Sequence, residues 1–216
     1  MKTAYNNAGI KLIVGALTSS DADAKQTAQT LANWVKQYDL DGIDVGFGDP
    51  HAFENGSAEA FIAVAISIVS ALPWVRNTHH KFCPNKWPGG GYLYINKEVG
   101  SMIDWYNIQF YNWGESEYTD CNSLLFDSSS AWPQSSIFQI NANGVDLSKL
   151  VTGKPATTQD AVNGYIDPST FAGCLSQAKA KGWDAGVAGW QWPRANNDWF
   201  RAIRAQSWPC GPFGAN

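Results

Sequence analysis

Charge is scarce in this 216-residue chain: Asp, Glu, Lys and Arg make up 16% of it, and the net charge is −4. No basic run occurs, which argues against nucleic acid as a partner. No apolar run reaches the ~18 residues that a membrane-spanning helix needs, so no membrane partner is expected. The four cysteines, Cys83, Cys121, Cys174 and Cys210, contain no C-x-x-C pair. That removes the usual zinc and redox signatures. Four half-cystines allow three pairings, and spacing does not choose among them. Histidine is limited to His51, His79 and His80. Neighbours such as His79 and His80 diverge on a strand and no third ligand is evident, so no metal is expected. No serine sits in a G-x-S-x-G nucleophile elbow. Gly89-Gly90-Gly91 lacks a following Lys-Ser/Thr and reads as a loop, not a phosphate cradle. No cofactor is implied. With no internal repeat, linker or low-complexity tract, residues 1–216 are expected to form a single domain.

Tryptophan, by contrast, is abundant, with eleven residues. Many lie beside Gly, Pro or Asn, which points to loops, and a flat indole matches the apolar face of a pyranose. Lys2 followed by Ile10 to Leu17 has the outline of a secretion signal. Lys11 interrupts the run, so the stretch is read as a structural strand and the chain as carrying no signal peptide. Asn55-Gly56-Ser57 is an N-glycosylation acceptor pattern.

Hydrophobic patterning then alternates between strand and helix. Gly9 to Leu17 is almost continuously apolar, as in a strand covered on both faces. Thr18 to Asp21 offers caps for a helix through Tyr38, with Leu31, Trp34, Val35 and Tyr38 on its apolar face. After an Asp-rich strand comes a polar loop from Asp49 to Gly56, then a helix from Ala58 to Leu72 that stops at Pro73. Thr78 to Phe82 is a short strand candidate, and Tyr92 to Gly100 reads as loop with a helical turn. Trp105 to Asn112 alternates as a strand with Trp105, Asn107, Gln109 and Tyr111 on one face. Trp113 to Leu125 is a loop turning helical near its end, and Ile137 to Ile140 is short or irregular. Leu150 to Pro155 is a strand. Asp167-Pro168 opens a helix through Lys181, Asp184 to Trp190 is the last strand, and Asn196 to Asp198 cap a helix to Gln206. About six strands separated by helices indicate a parallel α/β fold.

The chemistry concentrates in Leu40-Asp41-Gly42-Ile43-Asp44-Val45-Gly46-Phe47-Gly48-Asp49. Alternation puts Ile43, Val45 and Phe47 on one face and Asp44, Gly46 and Gly48 on the other. This stretch resembles the D-G-x-D-x-D-x-E strand of family 18 glycoside hydrolases, the chitinases and endo-β-N-acetylglucosaminidases. Thr78-His79, Tyr92 to Gly100, Trp105 to Asn112, Leu150 to Ala156 and Gly186 to Trp190 are similar to segments of the fungal branch. The resemblance implies a (β/α)8 TIM barrel with its site at the C-terminal strand ends. It covers nearly the whole chain but begins at the third strand. The expected fold is therefore an incomplete barrel of about six strands, whether as a fragment, a shortened gene product or a barrel closed in another way. Its two unpaired edges would tend to self-associate.

In that family hydrolysis is substrate-assisted. The last Glu of the motif protonates the glycosidic oxygen, and the preceding Asp orients the substrate N-acetyl group. Here those places hold Gly48 and Gly46. Asp41 and Asp44 match the earlier acidic positions, which support the strand and relay charge. Tyr111 resembles the tyrosine that hydrogen-bonds the N-acetyl group, and Trp190 the indole beneath the sugar. Gln109, Asn112, Trp113, Gln191 and Trp192 join them as substrate-binding candidates. The resemblance implies an extracellular chitinase-like protein that binds chitin or N-acetylglucosamine oligosaccharides, lectin-like, with little or no hydrolysis. One alternative is an active glycosidase using a displaced carboxylate, Asp49 or Glu54. Another is a protein-binding scaffold of the inhibitor type.

Overall fold

The computed structural model describes residues 2–18, 23–47, 49–78 and 81–209. Six parallel strands run in chain order with helices between them, the arrangement of an incomplete (β/α)8 barrel. The chain divides into two compact units, residues 1–107 and 108–216.

The first unit begins with helix α1 (Lys2–Asn7), none of whose residues is buried. Strand β1 runs from Ile13 to Thr18, starting four residues later than the expected Gly9. A two-way clamp marks its beginning, with the Asp41 N–H donating to the Leu12 carbonyl and the Leu12 N–H to Asp41 Oδ2, both at 2.8 Å. Nor is β1 covered on both faces. Ile13 and Val14 are half-buried and Gly15 is exposed; β1 stands at the end of the strand order and pairs with β2 (Gly42–Phe47). Between them α2 (Ala24–Gln37) is capped by Asp23, whose carboxylate accepts from the Gln26 N–H at 2.7 Å. Its buried face is Ala28, Ala32 and Val35. Trp34 and Tyr38, expected inside, are exposed and pack edge to face at 5.1 Å.

Strand β2 is buried throughout, with Ile43, Val45 and Phe47 no more than 2% exposed. It is followed by α3 (Pro50–Glu54), where a loop was expected, and α4 (Ala58–Val69). Ala58, Ile62, Ala65, Ile66 and Val69 recur at helical spacing and form the buried side of α4. Each isoleucine contributes ~1.5–3 kcal/mol through burial. Strand β3 (Trp74–Thr78) starts directly after Pro73, four residues ahead of the candidate strand. Gly42 permits its approach to β2, since a Cβ there would collide with the Trp74 carbonyl. Helix α5 (Gly91–Val99) replaces the expected loop, packing Tyr92, Ile95 and Val99 inside. Strand β4 (Trp105–Gln109) follows. Asp104 repeats at its start the clamp made by Asp41, exchanging hydrogen bonds with Val75 at 2.6 and 2.7 Å.

The second unit contains α6 (Cys121–Leu125), α7 (Ile137–Ala142), β5 (Leu150–Pro155), α8 (Pro168–Ala180), β6 (Val187–Trp190) and α9 (Asn197–Arg204). Ile137 begins a regular helix rather than an irregular turn, because Ser136 and Gln139 close a capping box. The bounds of β5 and the Asp167 cap of α8 lie where residue pattern predicts. Gly189 is required in β6: a Cβ there would lie 2.8 Å from both Ala195 and Trp199. Trp74, outside any expected element, begins β3, whereas Trp34, Trp105, Trp190 and Trp199 lie in the helices and strands where residue pattern puts them. Trp183 is fully buried and donates its indole N–H to the Leu150 carbonyl at 2.8 Å.

Among the described residues Cys121 and Cys174 form a disulfide, tying α6 to α8 across 53 residues. Cys83 is buried, and Cys210 lies outside the described residues. Reduction, or Cys121→Ser with Cys174→Ser, is expected to lower unfolding stability by about 2–4 kcal/mol, the range for loops of this size. Urea unfolding with and without reductant measures it. Among the described residues no helix is long and apolar enough to cross a membrane.

Candidate functional site

In the first unit the candidate residues surround β2. Asp41 stands at its beginning, away from the strand end where chemistry is sought. Its carboxyl is held below the usual range, chiefly by the Leu12 N–H and further by Lys2. With its counterpart Asp104 it serves as a strand clamp. Asp44, 6% exposed, points into the unit and is met by Arg76, whose Nε lies 2.7 Å from Oδ2. Register explains the pair, because Asp44 and Arg76 are opposite each other on β2 and β3. Sequence reasoning missed Arg76 because it began β3 four residues late. Starting the strand immediately after Pro73 would have put Arg76 level with Asp44.

Beyond Asp44, Gly46 is buried and contributes no side chain. Gly48, His79 and His80 lie outside the described residues. Asp49 is the N-cap of α3, its Oδ1 accepting from the His51 and Ala52 N–H groups at 2.9 and 3.2 Å. Asp-Pro at this junction is a helix start signal. Glu54 closes the other end of α3 and contacts His51 Nδ1 at 3.0 Å, with both side chains more than half exposed. The two carboxylates considered as displaced acids are thus engaged in making one short helix.

Behind α3 lies a residue that sequence did not flag. Lys81 is 4% exposed, and its ammonium stands 4.2 Å from the Phe53 ring centre and 4.9 Å from that of Trp87. Burial pushes its pKa down, opposed by the charges of Glu54, Asp49 and Glu59. The aromatic faces supply the attraction that stabilises the buried cation.

The second unit holds the aromatic candidates. Tyr111, 6% exposed, lies nearly parallel to Trp190, with planes 22° apart and centres 6.5 Å apart. Burial pushes the Tyr111 phenol upward, so it remains a hydrogen-bond donor at neutral pH. Trp190 is 45% and Trp192 76% exposed, and Gln191 between them is exposed too. This is an accessible indole face with a phenol beside it, joining an apolar ring to a hydrogen-bonding tip.

The other candidates are held by their own surroundings. Asn112 adopts φ 65°, and its Oδ1 accepts from the Val162 N–H at 2.8 Å. Its N–H reaches the Asn163 carbonyl at 3.2 Å, and Asn163 Oδ1 accepts from the Gly114 N–H at 3.2 Å. Asn112 therefore joins the segment after β4 to the segment after β5. Trp113 donates its indole N–H to the Gln109 carbonyl at 3.0 Å and packs edge to face on Trp132 at 4.8 Å. Trp132 in turn donates to the Trp113 carbonyl at 2.8 Å. Gln109 is half-buried.

An ion pair missed by pattern reading completes this network. The Asp160 carboxylate is fully buried and accepts from Arg194 Nε at 2.6 Å and from Thr157 N and Oγ1 at 3.0 and 2.8 Å. Arg194 holds the Asp160 carboxyl below its ordinary range. Asp160 follows β5 and Arg194 follows β6, so the pair ties the two strand-end segments together beside Trp190–Trp192. An ionised, enclosed carboxylate of this kind cannot act as the proton donor that hydrolysis needs. The sequence separation of 34 residues left no local signal for it.

Solved structures give this arrangement its context. A family 18 chitinase from Pseudoalteromonas aurantia superposes with a TM-score of 0.78 at 21% identity, covering 94% of this chain and 78% of its own. A fungal endo-β-N-acetylglucosaminidase of glycosyl hydrolase family 18 gives 0.68 at 20%, covering 95% and 75%. A variant family 18 chitinase from Cycas revoluta, in complex with (GlcNAc)4, gives 0.66 at 15%, covering 94% and 81%. No family model and no curated protein matches the sequence. The chain has the fold found in the family 18 chitinases and endo-β-N-acetylglucosaminidases.

Proposed function

We propose that this chain, with its chitinase-type fold, binds N-acetylglucosamine oligosaccharides of the chitin type without hydrolysing them. One observation carries the reading: Trp190 is exposed beside Tyr111, in a chain with Gly46 and Gly48 at the places that the resemblance gives to the two reacting residues. Trp190 provides the stacking surface, Trp192 and Gln191 extend it, and the Tyr111 hydroxyl donates to the sugar's N-acetyl oxygen. Asn112, Trp113 and the Asp160–Arg194 pair keep the strand-end segments in position. The extracellular setting expected of a chitin binder agrees with the Cys121–Cys174 bond. Strands β1 and β6 occupy the two ends of the strand order, and their edges support self-association as a further property.

Calorimetric titration with chitotetraose tests this reading. Saturable heat is expected, and Trp190→Ala is expected to weaken binding at least about tenfold, the loss of ~1.4 kcal/mol or more from one aromatic stacking face. No heat at millimolar sugar rules the proposal out. Saturation unaffected by Trp190→Ala rules out this platform as the binding surface.

A further inference from the structure

We propose that Asn55 is an N-glycosylation site. Asn55-Gly56-Ser57 is the one N-x-Ser/Thr pattern in the 216 residues, and its three-dimensional setting suits modification. Asn55 is the C-cap of α3 and is exposed, as is Ser57. Its carboxamide oxygen is occupied by the Ser57 N–H at 3.0 Å. The Nδ2 group, the atom to be modified, donates no hydrogen bond within the protein among the described residues and is accessible. Gly56 holds φ 78° between them, so the tripeptide forms a turn on the surface rather than part of a strand or helix interior.

The compartment is argued from a different part of the molecule. Cys121 and Cys174 form a disulfide, and such bonds persist in the oxidising secretory route where N-glycans are added. The donor class is a lipid-linked oligosaccharide diphosphate. Asn55 Nδ2 bonds to the anomeric carbon as that carbon's bond to the diphosphate oxygen breaks. The nitrogen loses one proton, and the lipid diphosphate departs. The attached glycan would stand at the end of α3 opposite the Asp49 cap. No core residue is displaced, because neither Asn55 nor Ser57 is buried.

The test is secretion of the full chain from a glycosylating eukaryotic host, followed by peptide N-glycosidase digestion and mass spectrometry. One digestible mass increment is expected, with enzymatic release converting asparagine 55 to aspartate in its peptide. Asn55→Gln and Ser57→Ala should each abolish the increment, and Ser57→Thr should retain it, with thermal unfolding showing that each secreted variant is folded. Ser57→Ala leaves the Asn55 side chain in place and so gives the answer even if Asn55→Gln is poorly secreted. A folded, secreted parent without the increment overturns the proposal. So does an increment that survives Ser57→Ala.

Discussion

Lys154→Met is expected to destabilise the second unit by about 3 kcal/mol or more, measured by urea unfolding. Lys154 lies on β5 and is 1% exposed. Its ammonium donates to the carbonyls of Phe110 at 2.8 Å, Tyr118 at 2.6 Å and Gly164 at 2.6 Å. In the protonated form three donors thus meet three acceptors in a closed cage. Methionine keeps the apolar stem but takes away all three partners, and each buried carbonyl left unsatisfied costs ~1–3 kcal/mol. Relief from burying a charge offsets part of that sum, which is why the expectation is the lower end. A substitution that leaves stability unchanged would show that the carbonyls find other donors.

The same lysine gives unfolding a pH dependence. Burial pushes its pKa down to about 7, with the Asp120 charge acting in the opposite direction. In the unfolded chain it titrates near the ordinary value of 10.5. Between these values the unfolded state holds a proton that the folded state has released, so stability rises with pH through that window. Below pH 7 both states are protonated and this contribution is flat. Lys154→Met removes the rise, and comparing the two proteins' unfolding midpoints from pH 7 to pH 10 isolates it.

The second large effect concerns catalysis. Labelled chitotetraose is expected to yield no product above background, corresponding to a rate at least ~10²–10⁴ below that of a protein with the general acid in place. Loss of the orienting carboxylate lowers it further, since positioning is lost as well. Glycine at 46 and 48 supplies neither group. Asp49 is occupied by two amide donors, and Glu54 lies exposed beside His51. Asp49→Asn and Glu54→Gln should therefore leave the background unchanged. Product release in the parent that either substitution abolishes would establish a displaced acid and reject the non-hydrolytic reading.

These expectations differ in how much of their basis could be read along the chain. Glycine at 46 and 48 was legible as a sparse strand face from period-two alternation; that these are the acid positions is what the resemblance to the family 18 motif implies. The Asp167 cap was legible too, where one residue and its successor suffice. The short helix α3 was not recognised, although Asp49-Pro50 is the same signal, because five residues carry too little apolar periodicity. Strand β3 was displaced for a related reason: Trp74 to Thr78 mixes aromatic, charged and polar residues, so its alternation is weak.

What the sequence determined by itself is the order of strands and helices and the parallel α/β class. These depend on residue type, local period and adjacent caps, all of which act within a few positions. The barrel type came from the resemblance of several segments to family 18. What only the tertiary structure decided is which polar groups meet. Arg76 opposite Asp44 follows from strand register, Asp160 with Arg194 from two segments brought side by side, and the Lys154 cage from carbonyls contributed by three separate stretches. The Cys121–Cys174 bond, which spacing did not single out, is of the same kind. Each depends on distances closed across roughly 10 to 53 residues of chain, and no local propensity encodes such distances. The sparse polar face of the Asp41–Asp49 stretch was visible from the start. That Asp49 caps a helix, and Asp44 answers an arginine, became visible only once the strands were paired.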